Sequence, residues 1–214
     1  MWQLDRAEMK AGLLDEIHQR QSMAELTDLG SGTAMEKFVW RRARLSGRFI
    51  PAPTFLLDNR VHAGRAGYFV YSVFQTAKDN MVLVNRGWVQ AMPRRDQLPV
   101  LTTPAEPLEL RGLLKQAPRT GKLLAEDTDE ILPNEVIRLQ FLNLDHVNNN
   151  YNLKLAPLVL RLEEKTSNSF NIDWPSPASG KEKHLGYAFQ WFAMAMALLV
   201  IFITLNSKRV EKND

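Results

Sequence analysis

The feature that most constrains this chain is an uninterrupted apolar run near its C-terminus. Residues 185–205 read LGYAFQWFAMAMALLVIFITL, which is 21 residues without a charged side chain. About 20 apolar residues in a helix cross the roughly 30 Å of hydrocarbon in a bilayer. Helices buried in soluble cores usually interrupt such a run with polar residues. The pattern therefore predicts a transmembrane helix over residues 185–205 rather than a soluble core helix.

The flanks of this run predict its orientation. Aromatic side chains crowd the first two turns, as is typical at the level of lipid headgroups; they are Tyr187, Phe189, Trp191 and Phe192. Basic residues flank the run, with Lys181 and Lys183 before it and Lys208, Arg209 and Lys212 after it. Basic residues are enriched on the cytoplasmic side, and three follow the run whereas two precede it. We therefore expect residues 206–214 to form a cytoplasmic tail.

Composition excludes several kinds of site. Lys and Arg number 27 against 24 Asp and Glu, and a net charge of +3 is too small to favour nucleic acid as the partner. The chain has no Cys, which excludes disulfides, Cys-ligated zinc and iron–sulfur clusters. The four His residues form no local zinc motif, and the phosphate-loop and serine-hydrolase motifs are absent from the sequence. The sequence therefore predicts a protein that is not an enzyme.

The sequence of residues 1–36 indicates a helix followed by a helix-breaking segment. Apolar residues recur at steps of three and four from Leu4 to Leu14, which is typical of an amphipathic helix. We expect this helix to span about Trp2 to Leu26, with Gly30 and Gly32 breaking it.

The region from residue 37 to residue 178 predicts a β-rich domain. Short runs of β-branched and aromatic residues alternate there with turn residues. Asp79-Asn80 separates residues 67–76 from residues 81–89, and its residue types favour a turn that joins them as an antiparallel hairpin. The expected fold class is α+β, with a mainly antiparallel β extramembrane domain, an N-terminal amphipathic helix and a C-terminal transmembrane helix.

Polar residues interrupt the second strand of this hairpin. Strand periodicity would place Val82, Val84, Arg86 and Trp88 on one face and Asn85 on the other. Neither face is cleanly apolar. Asn85, Arg86 and Trp88 therefore either close a polar network beside a large aromatic ring or contact a partner.

His184 stands immediately before the apolar run. It aligns with Tyr187 and Trp191 at i, i+3 and i+7 on one helical face. A neutral imidazole can ligate haem iron, and aromatic rings can cover the macrocycle; the alternative is an ordinary histidine at a membrane interface. Gln190, within the apolar run, is suited to hydrogen-bond a neighbouring helix in the bilayer.

Three blocks, in chain order, carry a resemblance to a known family. They read WQLDRAEMK (residues 2–10), VLVNRGWV (82–89) and HLGYAFQWFAMA (184–195), with LSGRF (45–49) and LLDNR (56–60) between the first two. Together they resemble the surfeit-locus family of cytochrome c oxidase assembly factors, and the similarity spans essentially the whole chain. The resemblance implies a protein of the bacterial inner membrane with its main domain, residues 37–178, in the periplasm. The family also has a transmembrane helix before the first block, and we expect the printed sequence to lack it.

The resemblance further implies a non-enzymatic function. The protein would act with other assembly factors in the maturation of oxidase subunit I, and it would bind haem a transiently. His184 would ligate the iron, and Tyr187 and Trp191 would line the macrocycle. The residues expected to contact a partner or a haem propionate are Asn85, Arg86, Trp88 and Gln190. The alternative function is that of a cofactor-free membrane scaffold that stabilises an oxidase assembly intermediate.

Overall fold

A computed structural model of the chain describes residues 2–30, 33–118, 129–165, 169–174 and 181–206. Side chains are described for these residues except 2–11, 33, 34, 36 and 181–188. The helices are α1 (Trp2–Ser22), a 3₁₀ helix (Thr33–Phe38), α2 (Leu144–Asn150) and α3 (Lys181–Asn206). The strands are β1 (Arg42–Phe49), β2 (Thr54–His62), β3 (Arg65–Thr76), β4 (Met81–Gln90), β5 (Leu108–Lys115), β6 (Glu130–Leu132), β7 (Val136–Leu139) and β8 (Leu155–Leu162).

The strands form one eight-stranded sheet. Its order is β1-β5-β8-β4-β3-β2-β7-β6, and an additional pairing joins β1 to β3. This pairing closes β1, β3, β4, β8 and β5 into a five-stranded barrel, in which β4 and β8 are parallel and the other neighbours antiparallel. A small Greek-key barrel with one parallel pair is the arrangement of OB folds. Strands β2, β7 and β6 extend the sheet beyond the barrel.

Gly47 allows the barrel to close. It pairs with Thr76 of β3 and with Leu108 of β5, so β1 passes from one neighbour to the other at this residue. A Cβ atom at position 47 would lie 2.8 Å from the Cα of Thr76. Only a residue without a side chain permits this approach of the two backbones.

Alternating residues of the barrel strands fill its interior. Buried side chains from β1, β3, β4, β5 and β8 form one hydrophobic cluster, which includes Leu45, Phe74, Val84, Leu110 and Leu160. A second cluster lies on the opposite face of β3 and β4, beneath β2, β7 and α2. Residues in the loop between β4 and β5 cover a third cluster. The sheet is therefore apolar on both faces, which accounts for the nearly continuous apolar sequence of β3 and β4.

Several predictions on local structure can be compared with these elements. The hairpin is confirmed: β3 and β4 pair antiparallel, and Asp79 adopts a left-handed φ of +69° in the turn. The first helix ends at Ser22 rather than Leu26, because Leu26 forms a parallel bridge with Ala43 of β1. The amphipathic character of this helix stays a prediction.

The fold is α+β and mostly sheet, and among the strand pairs that the structure describes six are antiparallel and two parallel.

The chain divides into two compact units, Met1–Ile172 and Asp173–Asp214. The first contains the sheet, and the second contains α3. The domain boundaries at residues 36, 178 and 185 stay predictions.

Helix α3 is the one helix in the described ranges that is long and apolar enough to cross a membrane. The candidate span is Phe189–Asn206, and none of it is buried. Its large apolar side chains are exposed, including Phe189, Trp191 and Phe192. A fully exposed apolar helix is not a soluble core helix, and the span indicates a membrane-anchored protein. The orientation and the cytoplasmic tail, residues 206–214, stay predictions, and the tail lies outside the described residues beyond Asn206.

Candidate functional site at the end of the barrel

Arg86 lies at one end of the barrel and is almost completely buried, with 1% of its surface exposed. Its Nη1 donates to Ser72 Oγ at 3.3 Å and to Thr103 Oγ1 at 3.1 Å, and its Nη2 donates to the Thr102 carbonyl. The guanidinium also lies 5.2 Å from the ring centroid of Phe49. A buried cation requires such acceptors and ring faces to replace its lost water.

The contacts of Arg86 join separate parts of the domain. Ser72 belongs to β3, Phe49 to β1 and Thr103 to the loop between β4 and β5, while Phe170, whose ring centroid is 5.0 Å away, follows β8. Burial lowers the pKa of Arg86 to about 10, so the side chain remains charged at neutral pH. Arg86 therefore places a buried positive charge where four segments meet.

A β-bulge determines which way Arg86 and its neighbours point. Tyr71 pairs with Asn85 and Val70 pairs with Gly87, so Arg86 is the extra residue in β4. Because a bulge adds one residue, it reverses the alternation beyond it. Trp88 pairs with Phe69 and lies on the face of Asn85. The prediction that Trp88 shares a face with Val82 and Val84 is thus wrong.

Asn85 holds the bulge from the outer face of the barrel. Its Oδ1 accepts a hydrogen bond from the backbone N–H of Gly87 at 3.1 Å, and its Nδ2 donates to the Tyr71 hydroxyl at 3.1 Å. Burial raises the pKa of this Tyr71 hydroxyl. Asn85 is 5% exposed, and in the described part of the domain both ends of its amide bind the protein itself.

Trp88 and Gly87 hold the segment that follows β8 against β4. Trp88 N donates to the Asn171 carbonyl at 2.7 Å, and Phe170 N donates to the Arg86 carbonyl at 2.9 Å. The Trp88 ring nitrogen donates to the Arg60 carbonyl at 2.8 Å. Gly87 has φ +122°, and a Cβ there would lie 2.7 Å from the Asn171 carbonyl oxygen. Gly87 thus allows residues 169–172 to approach β4 closely.

A second cationic group lies on the outer face of the barrel. The Lys115 Nζ lies 4.3 Å from the ring centroid of Trp40, which has a left-handed φ of +68°. Burial, with a smaller contribution from the charge of Arg161, lowers the pKa of Lys115 to about 8. Lys115 is therefore only partly protonated in mildly alkaline solution.

The residues predicted on the apolar helix all fall within α3. The helical backbone includes His184, Tyr187 and Trp191, as their i, i+3 and i+7 spacing requires, although the side chains of His184 and Tyr187 lie outside the described residues. Trp191 is 69% exposed, and Gln190 is also exposed. The exposed rings of Phe189, Trp191 and Phe192 provide the apolar surface that contact with a flat ligand would require. In the described part of the chain, no three His, Asp or Glu side chains are grouped as a metal site.

The structure brings together Asn85, Arg86 and Trp88 but places them in the interior of the domain. The predicted contact with a partner or a propionate stays a prediction. Sequence reasoning missed the residues that surround Arg86, namely Phe49, Ser72, Thr102, Thr103 and Phe170. A signal was present for two of them: Phe49 ends the LSGRF block (45–49), and Ser72 is a small polar residue that interrupts the apolar sequence of β3. The loop and the segment after β8 carry no local pattern that indicates their contact with β4.

Comparison with known proteins identifies the family. The model of the SURF1 family matches residues 1–196. The chain belongs to the SURF1 family. It is similar to a SURF1-like protein of Rickettsia bellii, with 26% identity over 207 residues that cover 94% of this chain and 82% of the relative. A SURF1-like protein of Rickettsia felis is 25% identical over 210 residues, which cover 94% of this chain and 88% of the relative.

A similarity over a shorter stretch extends to a eukaryote. A SURF1-like protein of Dictyostelium discoideum is 30% identical over 102 residues, or 44% of this chain and 38% of the relative. SURF1 membership implies a general role in the assembly of cytochrome oxidase, and this family of assembly factors is not a known enzyme family.

Proposed function

We propose that this SURF1 protein assists the maturation of cytochrome c oxidase subunit I by handling haem a at the membrane surface. The observation that carries the proposal is the exposure of Phe189, Trp191 and Phe192 on α3, the helix in which His184, Tyr187 and Trp191 are spaced i, i+3 and i+7. In this function His184 ligates the haem iron, and Tyr187 and Trp191 lie against the macrocycle. The protein holds the cofactor without catalysing a reaction.

The apolar composition of α3 supports this proposal. The macrocycle of haem a is flat and largely apolar apart from its two propionates, and a membrane-spanning helix with exposed rings at one end offers it an apolar surface close to its membrane-embedded destination. We place the protein in the bacterial inner membrane, with the β domain in the periplasm and the C-terminus in the cytoplasm. Gln190 is exposed on the same helix and provides a hydrogen-bonding group for a helix of the partner.

The test is to bind haem a to the full chain in detergent and to compare its spectrum in the wild-type protein, the His184→Ala variant and the His18→Ala variant. His18 is exposed on α1 and provides the matched control. We expect His184→Ala to lose the spectrum of histidine-ligated iron and His18→Ala to retain it. An unchanged spectrum in His184→Ala would refute the iron ligand.

The second candidate function is a cofactor-free scaffold that stabilises an oxidase assembly intermediate. The exposed Gln190 amide, an uncharged polar group near the N-terminal end of the candidate span, favours it, because such a group is suited to join another helix. This function predicts that wild-type protein purified from membranes contains no haem a but retains subunit I, and that Gln190→Leu weakens this association. Haem a that purifies with the wild-type protein would argue against it.

A further inference from the structure

A cavity opens at the end of the barrel beside Arg86. Its volume is about 610 Å³, which is within the usual range for small-molecule sites. Ser72 and Thr103, both hydrogen-bonded to Arg86, line it. The cavity therefore lies directly beyond two hydroxyl groups that contact a buried positive charge.

The two hydroxyls can donate into this cavity. Each oxygen accepts a hydrogen bond from Arg86 Nη1, and a hydroxyl that accepts one bond still has a proton to donate. Within the described ranges neither hydroxyl donates to a protein acceptor. Because Arg86 polarises both groups, their protons favour a negatively charged acceptor.

The walls of the cavity add apolar surface and a further positive charge. Seven of its other eleven lining residues are of apolar type, and they include Phe49, Ile50, Pro51, Leu101, Pro104 and Ala105. Arg48 is exposed and contributes a guanidinium at the edge, while Glu135 is exposed there as well and opposes it. Because Arg86 is buried, solvent screens its charge less than it screens the charges of the exposed Arg48 and Glu135. The balance of the site thus favours an anion that carries an apolar group.

We propose that this cavity binds an amphipathic organic carboxylate, whose two oxygens accept hydrogen bonds from Ser72 and Thr103 while its apolar part packs against the loop residues. Arg86 acts behind the two hydroxyls as a positioning residue and supplies the field that selects an anion. The proposal does not rest on haem ligation by His184, because all the lining residues of the cavity lie within Met1–Ile172.

The experiment titrates the full chain, in lipid nanodiscs, with 4-fluorobenzoate and follows binding by ¹⁹F NMR. The neutral amide 4-fluorobenzamide, which has nearly the same shape, tests the need for charge, and empty nanodiscs measure partition into lipid. We expect the carboxylate to bind at least about tenfold more tightly than the amide, because charged hydrogen bonds are the stronger ones. Equal binding of acid and amide, or binding equal to that of empty nanodiscs, would overturn the proposal.

A pair of adjacent threonines provides the matched variants. Thr103 contacts Arg86 through its side chain, whereas Thr102 does so through its backbone carbonyl. Thr103→Val removes the proposed donor and is expected to weaken 4-fluorobenzoate binding about tenfold, and Thr103→Ser should restore it. Thr102→Val should bind like wild type. Both threonines are exposed, so the variants should fold, as circular dichroism can verify. Unchanged affinity in Thr103→Val would contradict the assignment.

Discussion

At the scale of single residues, the buried side chain of Arg86 contacts four separate segments of the domain. Replacing it with Met removes the donors to Ser72, Thr103 and the Thr102 carbonyl together. We expect Arg86→Met to lower the free energy of unfolding of the β domain by about 2–4 kcal/mol.

Urea titration of the full chain in mild detergent, followed by tryptophan fluorescence, measures this change. Arg48→Met is the control, because Arg48 is an exposed arginine on the same barrel, and its effect should stay within about 0.5 kcal/mol. Equal losses in the two variants would mean that the buried contacts of Arg86 do not stabilise the fold.

Lys115 predicts a pH dependence of stability in alkaline solution. Burial and Arg161 lower its pKa to about 8 from an ordinary value of 10.5, so between these values the unfolded chain binds more protons than the folded chain. Stability therefore rises with pH across this window. We expect the free energy of unfolding to increase from pH 8 to pH 9.5 and expect Lys115→Met to abolish the increase.

The control for this pH series is Lys154→Met, which removes an exposed lysine. The range ends at pH 9.5 because the contribution of Arg86, with its pKa of about 10, is small below this pH and grows above it. A wild-type stability that falls or stays constant over pH 8–9.5 would disagree with the burial of Lys115.

At the scale of elements, the attachment of residues 169–172 to β4 depends on Gly87. An alanine there must adopt a φ of +122° and place its Cβ 2.7 Å from the Asn171 carbonyl oxygen. Gly64→Ala is a matched control, because Gly64 has φ +76° and an added Cβ there would meet no described atom within 4 Å beyond the residue itself and its two chain neighbours. We expect Gly64→Ala to cost about 1 kcal/mol through backbone strain alone and Gly87→Ala at least twice as much.

Hydrogen exchange distinguishes backbone strain from the steric contact between the added Cβ and Asn171. In Gly87→Ala the backbone N–H groups of Trp88 and Phe170 should exchange faster, because their hydrogen bonds join the two segments. The same amides should be unaffected in Gly64→Ala. Equal protection of these amides in both variants would show that the segment tolerates the added methyl group.

Local sequence patterns predicted the elements better than their pairing. The Asp79-Asn80 turn and its flanking runs indicate the β3–β4 hairpin because a hairpin is local. The parallel pairs β2–β7 and β4–β8 join segments far apart in sequence, and no local pattern specifies them. The bulge at Arg86 was also not predicted, and therefore alternation assigned Trp88 to the wrong face.

Helix α3 allows a direct test of membrane anchoring. Leu198→Arg places a charge near the middle of the candidate span, which costs about 2.5–3.5 kcal/mol for insertion. We expect a larger fraction of this variant to be extracted from membranes by alkaline carbonate. Leu13→Arg, at an exposed leucine of α1, should remain in the membrane fraction with the wild-type chain. Equal extraction of both variants would argue against insertion of α3.

At the scale of the whole molecule, the chain combines a barrel domain with an apolar helix, and family membership associates both with oxidase assembly. The sequence blocks that indicate this family contain residues with different roles in the structure. Asn85, Arg86 and Trp88 maintain the barrel end, whereas residues 184–195 lie on the helix. The cavity beside Arg86 was not predictable, because its lining comes from four separate parts of the chain.

The most direct test of the proposed function measures haem a in cytochrome c oxidase from a strain that lacks its own copy of this gene. The strain is complemented with the wild-type gene, with His184→Ala or with His18→Ala, and equal protein levels in the membrane are verified. We predict that wild type and His18→Ala restore the content of haem a per subunit I, and that His184→Ala restores only a small part of it. Full restoration by His184→Ala would contradict the role of His184 in handling haem a.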